Sequence, residues 1–246
     1  MDTIVLPLAK QDGINWTAVT AFAIFHVEAV AAFFFFSWPA FFTALALYWV
    51  SLSLGIGMGY HRLLTHRSYK TAKCIEYFLA VCGSLAMEGG PISWVTTHRI
   101  RHATNCTPDQ YEHYSPDLSN YRFLVWLSKY FYLPLVLVSI VPLAWGGLPF
   151  LLWGLFLRVT IRLHTTWLVN SLTRFCGSRR FATRDDSRNN WFVALLTFGE
   201  GWHNNHHAYP SSARHGLAWY EIDMSWLGIR FLQLVGLAKS VNSASL

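Results

Sequence analysis

NWTAVTAFAIFHVEAVAAFFFFSWPAFFTALALYWVSLSLGIGMG, residues 15–59, holds a single charged side chain, Glu28. A membrane helix needs about 20 mainly apolar residues, so this run supplies two lengths, divided at Ser37-Trp38-Pro39. It reads as a helical hairpin, roughly 15–36 and 40–59. Residues 123–171 form a second long apolar stretch, interrupted by Gly146-Gly147 and containing only Lys129 as a charge before residue 158. That gives a second pair, 123–145 and 148–170. Arg158, Arg162 and His164 lie in the latter half of its second member and must face protein or water, since lipid would leave them unsolvated.

Between the hairpins, Tyr77 to Met87 is apolar for too few residues to span before Glu88-Gly89-Gly90-Pro91 interrupts it. Each hairpin therefore returns the chain to the same face. The basic residues cluster there, at Arg62, Arg67, Lys70 and Lys73, at Arg99, Arg101 and Arg122, and from Arg174 to Arg188. The positive-inside rule makes that face cytoplasmic. The expectation is an all-α, multi-pass integral membrane protein, a single domain over 1–246. Four transmembrane helices lie under a cytoplasmic helical cap built from 60–122 and 171–246, with the termini on the cytoplasmic side.

Composition agrees. The 246 residues are 53% apolar and 17% aromatic but only 13% charged, with mean hydropathy +0.29, whereas soluble domains carry about 25% charged residues. The net charge of +6 sits in runs beside apolar segments rather than on a folded basic face, so a nucleic-acid partner is not expected. Cys74, Cys82, Cys106 and Cys176 form no C-x-x-C pair, and neither a disulfide framework nor a thiolate zinc site is supported. The start MDTIVLPLAKQDG lacks the basic, then apolar, pattern of a cleavable leader.

Eleven histidines almost equal the thirteen acidic residues. Seven fall in three groups, His61-Arg-Leu-Leu-Thr-His66, His98-Arg-Ile-Arg-His102 and His203-Asn-Asn-His206-His207. On a helix His98 and His102 share a face, as do His203, His206 and His207. An all-imidazole set larger than four-coordinate zinc can use suits iron, copper or nickel and argues against a structural zinc knuckle. His26 reads as a helix–helix hydrogen-bonding residue, His113 and His215 as loop residues, and His164 is open. A metal transporter is disfavoured because the groups fall at helix ends and in the cap rather than at mid-span.

The segments GYHRLLTHRSYKT at 59–71, EGGPISWVTTHRIRHAT at 88–104, TTWLVNSLTR at 165–174 and RDDSRNNWFVALLTFGEGWHNNHHAYPSSARHGLAWYEID at 184–223 resemble the integral-membrane fatty acid desaturases of the acyl-CoA or acyl-lipid delta-9 type. That resemblance implies a two-iron site that uses O2 as co-substrate and two electrons to insert a cis double bond in a fatty acyl-CoA or acyl-lipid. A donor such as ferredoxin or a cytochrome b5-like protein would supply the electrons. It further implies His61, His66, His98, His102, His203, His206 and His207 as metal ligands, with Asn170 behind them, and no separate catalytic side chain. Arg101 and Arg174 stand where the family has histidines. Arginine stays protonated and offers no lone pair; at about 5 Å from a divalent ion, with an effective dielectric near 20, the repulsion is roughly 6–7 kcal/mol. Against that family's layout about 30 residues are expected to be missing after the second histidine group, which shortens the cap. The alternative is a catalytically impaired homologue, and hydroxylation by the same kind of centre is chemically close.

Overall fold

The computed structural model describes residues 14–102 and 116–244, without the side chains of residues 101 and 116. Helix α1, Trp16–Ala31, is capped by the Asn15 side chain and continues through the 3₁₀ turn Ala32–Phe35. The chain turns at Ser37, whose hydroxyl caps the next helix, and Pro39 fits its first turn, where no intrahelical N–H bond is needed. Helix α2, Trp38–Thr65, is 28 residues long and becomes π-helical over Val50–Thr65. It therefore runs past the expected end at 59 and carries the first histidine group on its own last turns.

Helix α3, Lys73–Ser84, lies against the π-helical part of α2, close enough that a side chain at Gly55 would meet the Cys82 and Gly83 backbone. Helix α4, Pro91–His102, follows the Glu88–Pro91 interruption. The expected span 123–145 is divided: α5, Arg122–Lys129, and α6, Leu133–Gly146, meet at a 66° bend. Pro134 in the first turn of α6 favours a fresh helix start over continuation. Leu124 and Leu127 of α5 bury completely in the core shared with α3 and α4, so that half belongs to the body around the histidines. Gly147, at φ +70°, turns the chain into α7, residues 148–170, which is π-helical over Leu152–Leu157. Short helices α8, Trp191–Leu196, and α9, His203–Ala208, precede α10, Met224–Leu234. A two-residue ribbon pairs β1, Lys70–Thr71, with β2, Ala238–Lys239, antiparallel.

Among the described residues, which are mostly helical, two helices, Trp16–Phe35 and Trp38–Thr65, are long and apolar enough to cross a membrane; the bent α5–α6 pair is a third if read as one span. Small residues Ala29, Ala32, Ala40 and Ala44 let α1 and α2 close on Leu152, Trp153 and Leu157 of α7. The Trp153 indole donates to the Ala32 carbonyl (2.9 Å), tying the two hairpin tips together. Outward-facing Phe22, Val27 and Val30 on α1, with Leu137, Ile140 and Val141 on α6, form an unpaired apolar surface of the kind lipid covers.

Arg158 and Arg162 do face protein, as expected. Arg158 donates to the carbonyls of Gly154 (2.6 Å) and Leu85 (3.0 Å), and Arg162 pairs with Glu88 at 2.5 Å. Removing one partner of a buried pair leaves an uncompensated charge, at a cost of about 3–5 kcal/mol. Arg162→Leu should therefore lower the unfolding temperature in detergent sharply, and adding Glu88→Leu should recover most of the loss. A single variant as stable as the parent would show the pair to be dispensable.

Candidate metal centre

In an α-helix His61 and His66 would point about 140° apart. The π-helical end of α2, whose hydrogen bonds run five residues back, returns residue 66 toward the side of residue 61. The bond from His66 N–H to the His61 carbonyl (3.1 Å) closes that turn, and the rings lie 4.9 Å apart. From α4, His98 and His102 present their Nε2 atoms 2.9 Å from each other. His206 on α9 brings its Nε2 to 3.1 Å from those of both His61 and His102. One ligand atom from each of His61, His66, His98, His102 and His206 fits within 4.8 Å of the others. His203 and His207, one turn apart on α9, stack beside this group, with the His207 ring 4.5 Å from that of His102.

The tautomers follow from the groups behind. Glu200 accepts from His61 Nδ1–H and Asp185 from His207 Nδ1–H, so in both rings the Nε2 lone pair is left free. In the neutral state such rings meet through lone pairs that repel one another unless a cation lies between them. The Nε2 of His66 and Nδ1 of His206 are buried without a hydrogen-bond partner. Burial, followed by the mutual repulsion of neighbouring rings, holds His98, His203 and His206 well below the usual imidazole range, His66 at about 3 and His102 at about 4. All are therefore lone-pair donors at neutral pH, and the donor set fits a borderline divalent metal.

Carboxylates and amides fix this arrangement. The guanidinium of Arg62, wholly buried, donates through Nη2 to Glu200 and to Asp223, each at 2.9 Å, and through Nη1 to the Ala213 carbonyl. Asp223 in turn accepts from the backbone N–H of His215 and Gly216. Between the histidines of α9, Asn204 accepts from the N–H groups of Arg180 and Phe181. Asn205 donates to the His215 carbonyl and to Glu221 and accepts from Asn189. On the other side the Trp94 ring stacks on His98 while its N–H bonds Glu88.

All seven sequence-expected histidines thus come together, and His215, expected as a loop residue, joins them. His215 lies in a loop but is 1% exposed, its ring 4.5 Å from His206, and it groups with His61 and Glu200. Asn170 sits at the exposed end of α7, its amide donating to the Thr166 carbonyl. His26 bonds His164 across the spans at 3.1 Å, which settles both residues as helix–helix partners. Arg174 lines a cavity of about 780 Å³ with His66, His102, Asp185 and His207, and its charge acts on His102, His203 and His207. The Arg101 side chain, His113 and the expected site of the shortened cap lie outside the described residues.

Residues 118–230 match the family described as Fatty acid desaturase. The chain is 43% identical to the sn-1 stearoyl-lipid 9-desaturase of Anabaena variabilis, over 98% of each chain. The chain belongs to the fatty acid desaturase family. It is also 40% identical to the sn-2 palmitoyl-lipid 9-desaturase of Nostoc sp., over 94% of this chain and 91% of that one. A more distant desaturase, the chloroplastic palmitoyl-monogalactosyldiacylglycerol delta-7 enzyme of Arabidopsis thaliana, is 38% identical over 94% of this chain and 70% of its own. The Anabaena alignment runs over 268 positions against the 246 of this desaturase, so at least 22 positions of that relative have no counterpart here.

Glu200→Gln should weaken metal binding about 10–100-fold, the usual effect of removing a carboxylate behind a histidine ligand, as measured by chelator competition; unchanged affinity would remove Glu200 from that role. A pH effect follows from the depressed histidines. Their folded pKa values lie below the unfolded value near 6.5, so the stability of chelated protein is full above that pH. It falls as pH drops from about 6.5 toward 4, by up to about 1.4 kcal/mol per pH unit for each titrating ring. Denaturant unfolding of metal-stripped protein between pH 7 and 4.5 checks this slope.

Proposed function

We propose that this chain is an acyl-lipid delta-9 desaturase that inserts a cis double bond using O2, two electrons and a pair of iron ions. The observation that carries the reading is the convergence of five imidazoles within 4.8 Å of one another, with His203 and His207 beside them and carboxylates behind His61 and His207. His61, His66, His98, His102 and His206 would hold the first ion. His203 and His207 would hold the second, beside which Arg174 offers a positive charge in place of a lone pair. When bound, the irons supply the oxidising power needed to take two hydrogens from an unactivated CH2–CH2 segment, with O2 reduced to water. The chain's own residues do the positioning. Glu200 and Asp185 hold protons on Nδ1 of His61 and His207, Trp94 shields His98, and Arg62 neutralises the carboxylates at the buried end of α2. The comparison with 9-desaturases acting on stearoyl- and palmitoyl-lipids supports the choice of an acyl-lipid substrate and of carbon 9.

The same reading has residues 1–246 as one domain with four membrane crossings, α1, α2, the bent α5–α6 pair and α7, and a cytoplasmic cap that meets a ferredoxin or cytochrome b5-like donor. The joined hairpin tips, with Phe33–Phe36, Trp38 and Trp145 exposed around them, support a far membrane surface opposite the histidines.

Expression in a host lacking its own delta-9 desaturase, followed by mass spectrometry of the membrane lipids, tests this. Loss of two hydrogens, one each from carbons 9 and 10, is expected. An unchanged lipid profile, or the gain of an oxygen atom that marks hydroxylation, would overturn it. Arg174→His, alone and with Arg101→His, should raise the affinity of the second iron at least tenfold, read as iron per chain after graded chelation. An occupancy curve identical to the parent's would show that Arg174 does not limit the second position.

A further inference from the structure

Helix α10, Met224–Leu234, is apolar on two sides. Ser225 and Ile229 are buried against α2, with the Ser225 hydroxyl 3.2 Å from that of Ser53, and Gly228 sits over Met58. On the other side Met224, Leu227, Phe231 and Leu234, spaced three and four residues apart, form one stripe and are 43–77% exposed. Arg230 and Gln233, bonded to each other, lie to one side of it, and an exposed apolar stripe on a helix already packed on its opposite face is ordinarily covered too. Trp219, just before the helix, is 91% exposed.

Two observations say what covers the stripe. Met58 lies 20 residues beyond Trp38, at most about 30 Å along α2 at about 1.5 Å per residue, which is the thickness of the hydrocarbon layer. Helix α10 therefore meets the span at the near edge of that layer. Second, the ribbon that follows α10 sets Lys70 directly opposite Lys239, both exposed, while Thr71 and Ala238 face inward. Like charges opposed across a ribbon repel, and an anion beyond them removes the penalty. Basic residues beside an apolar, aromatic-flanked helix face fit a bilayer surface.

The geometry points to α10 as an interfacial helix, its Met224–Leu227–Phe231–Leu234 stripe sunk into the cytoplasmic leaflet and the Lys70–Lys239 pair on lipid phosphates. This rests on the reading of α2 as a membrane span. The helix then holds the loop that carries Asp223, and through Asp223 the buried Arg62, at a fixed height over the membrane.

The test uses the full chain, with its native cysteines replaced by serine, in phosphatidylcholine vesicles with or without phosphatidylglycerol. Nitroxides are placed on Leu227→Cys, Phe231→Cys and Leu234→Cys, and on Leu45→Cys as a reference within the span. Power saturation with O2 and with a water-soluble nickel chelate then reads depth. All four sites should collide more with O2 than with nickel. In vesicles containing phosphatidylglycerol, adding Lys70→Glu with Lys239→Glu should raise nickel access at the three α10 sites several-fold. Nickel access at those three sites with Leu45→Cys still protected would overturn this proposal alone; nickel access at all four would overturn the membrane reading beneath it as well. Spectral broadening that disappears on dilution with unlabelled chain would assign the stripe to a second copy and also overturn it. No response to the lysine reversals would overturn the phosphate contact.

Discussion

A guanidinium with no exposed surface, that of Arg62, is the contact on which the rest of the centre depends. It sits at the inner end of α2 and joins Glu200, Asp223 and the Ala213 carbonyl, which lie 138 to 161 residues further along the chain. Glu200 orients His61, and Asp223 gathers the His215–Gly216 turn and caps α10. A buried arginine is tolerated only when its charge is offset, here by two carboxylates. That requirement forces the loops bearing the third histidine group down onto the end of a membrane helix, and the imidazoles meet there.

The same economy recurs in the spans. Arg158 and Arg162 would be expelled from lipid, yet they are held by backbone carbonyls and by Glu88. Glu88 also receives the Trp94 indole, whose ring backs His98. The pair that solves a solvation problem in α7 thereby positions a residue of the metal centre. This coupling explains why an arginine-bearing helix and a short acidic interruption occur together in an otherwise apolar chain.

Much of the site was legible from spacing alone. His98 and His102, and His203, His206 and His207, fall on helix faces by simple periodicity, and the need of Arg158 and Arg162 for protein partners followed from solvation. His61 and His66 were legible as a group, but an α-helical period places them on different sides; π-helical winding, which leaves no periodic signal, brings them together. His215 passed as a loop residue because burial is a property of the folded chain. Glu200, Asn204, Asn205 and Asp223 carry no spacing signature, since their partners lie at distant positions. Glu88 could have been found, for a carboxylate beside an apolar run needs a partner and α7 offers arginines. The bend between α5 and α6 was hidden by uniform apolarity: one half packs on the body around the histidines and the other faces lipid, and hydropathy does not distinguish them.

The central claim is that these imidazoles surround metal rather than each other. Anomalous diffraction at the iron edge, from crystals of protein purified with its native metal, tests it most directly. A strong peak is expected among the Nε2 atoms of His61, His66, His98, His102 and His206, with a weaker one beside His203 and His207 on the Arg174 side. Iron-replete protein with no peak inside the histidine cluster, or with its only peak elsewhere, would contradict it.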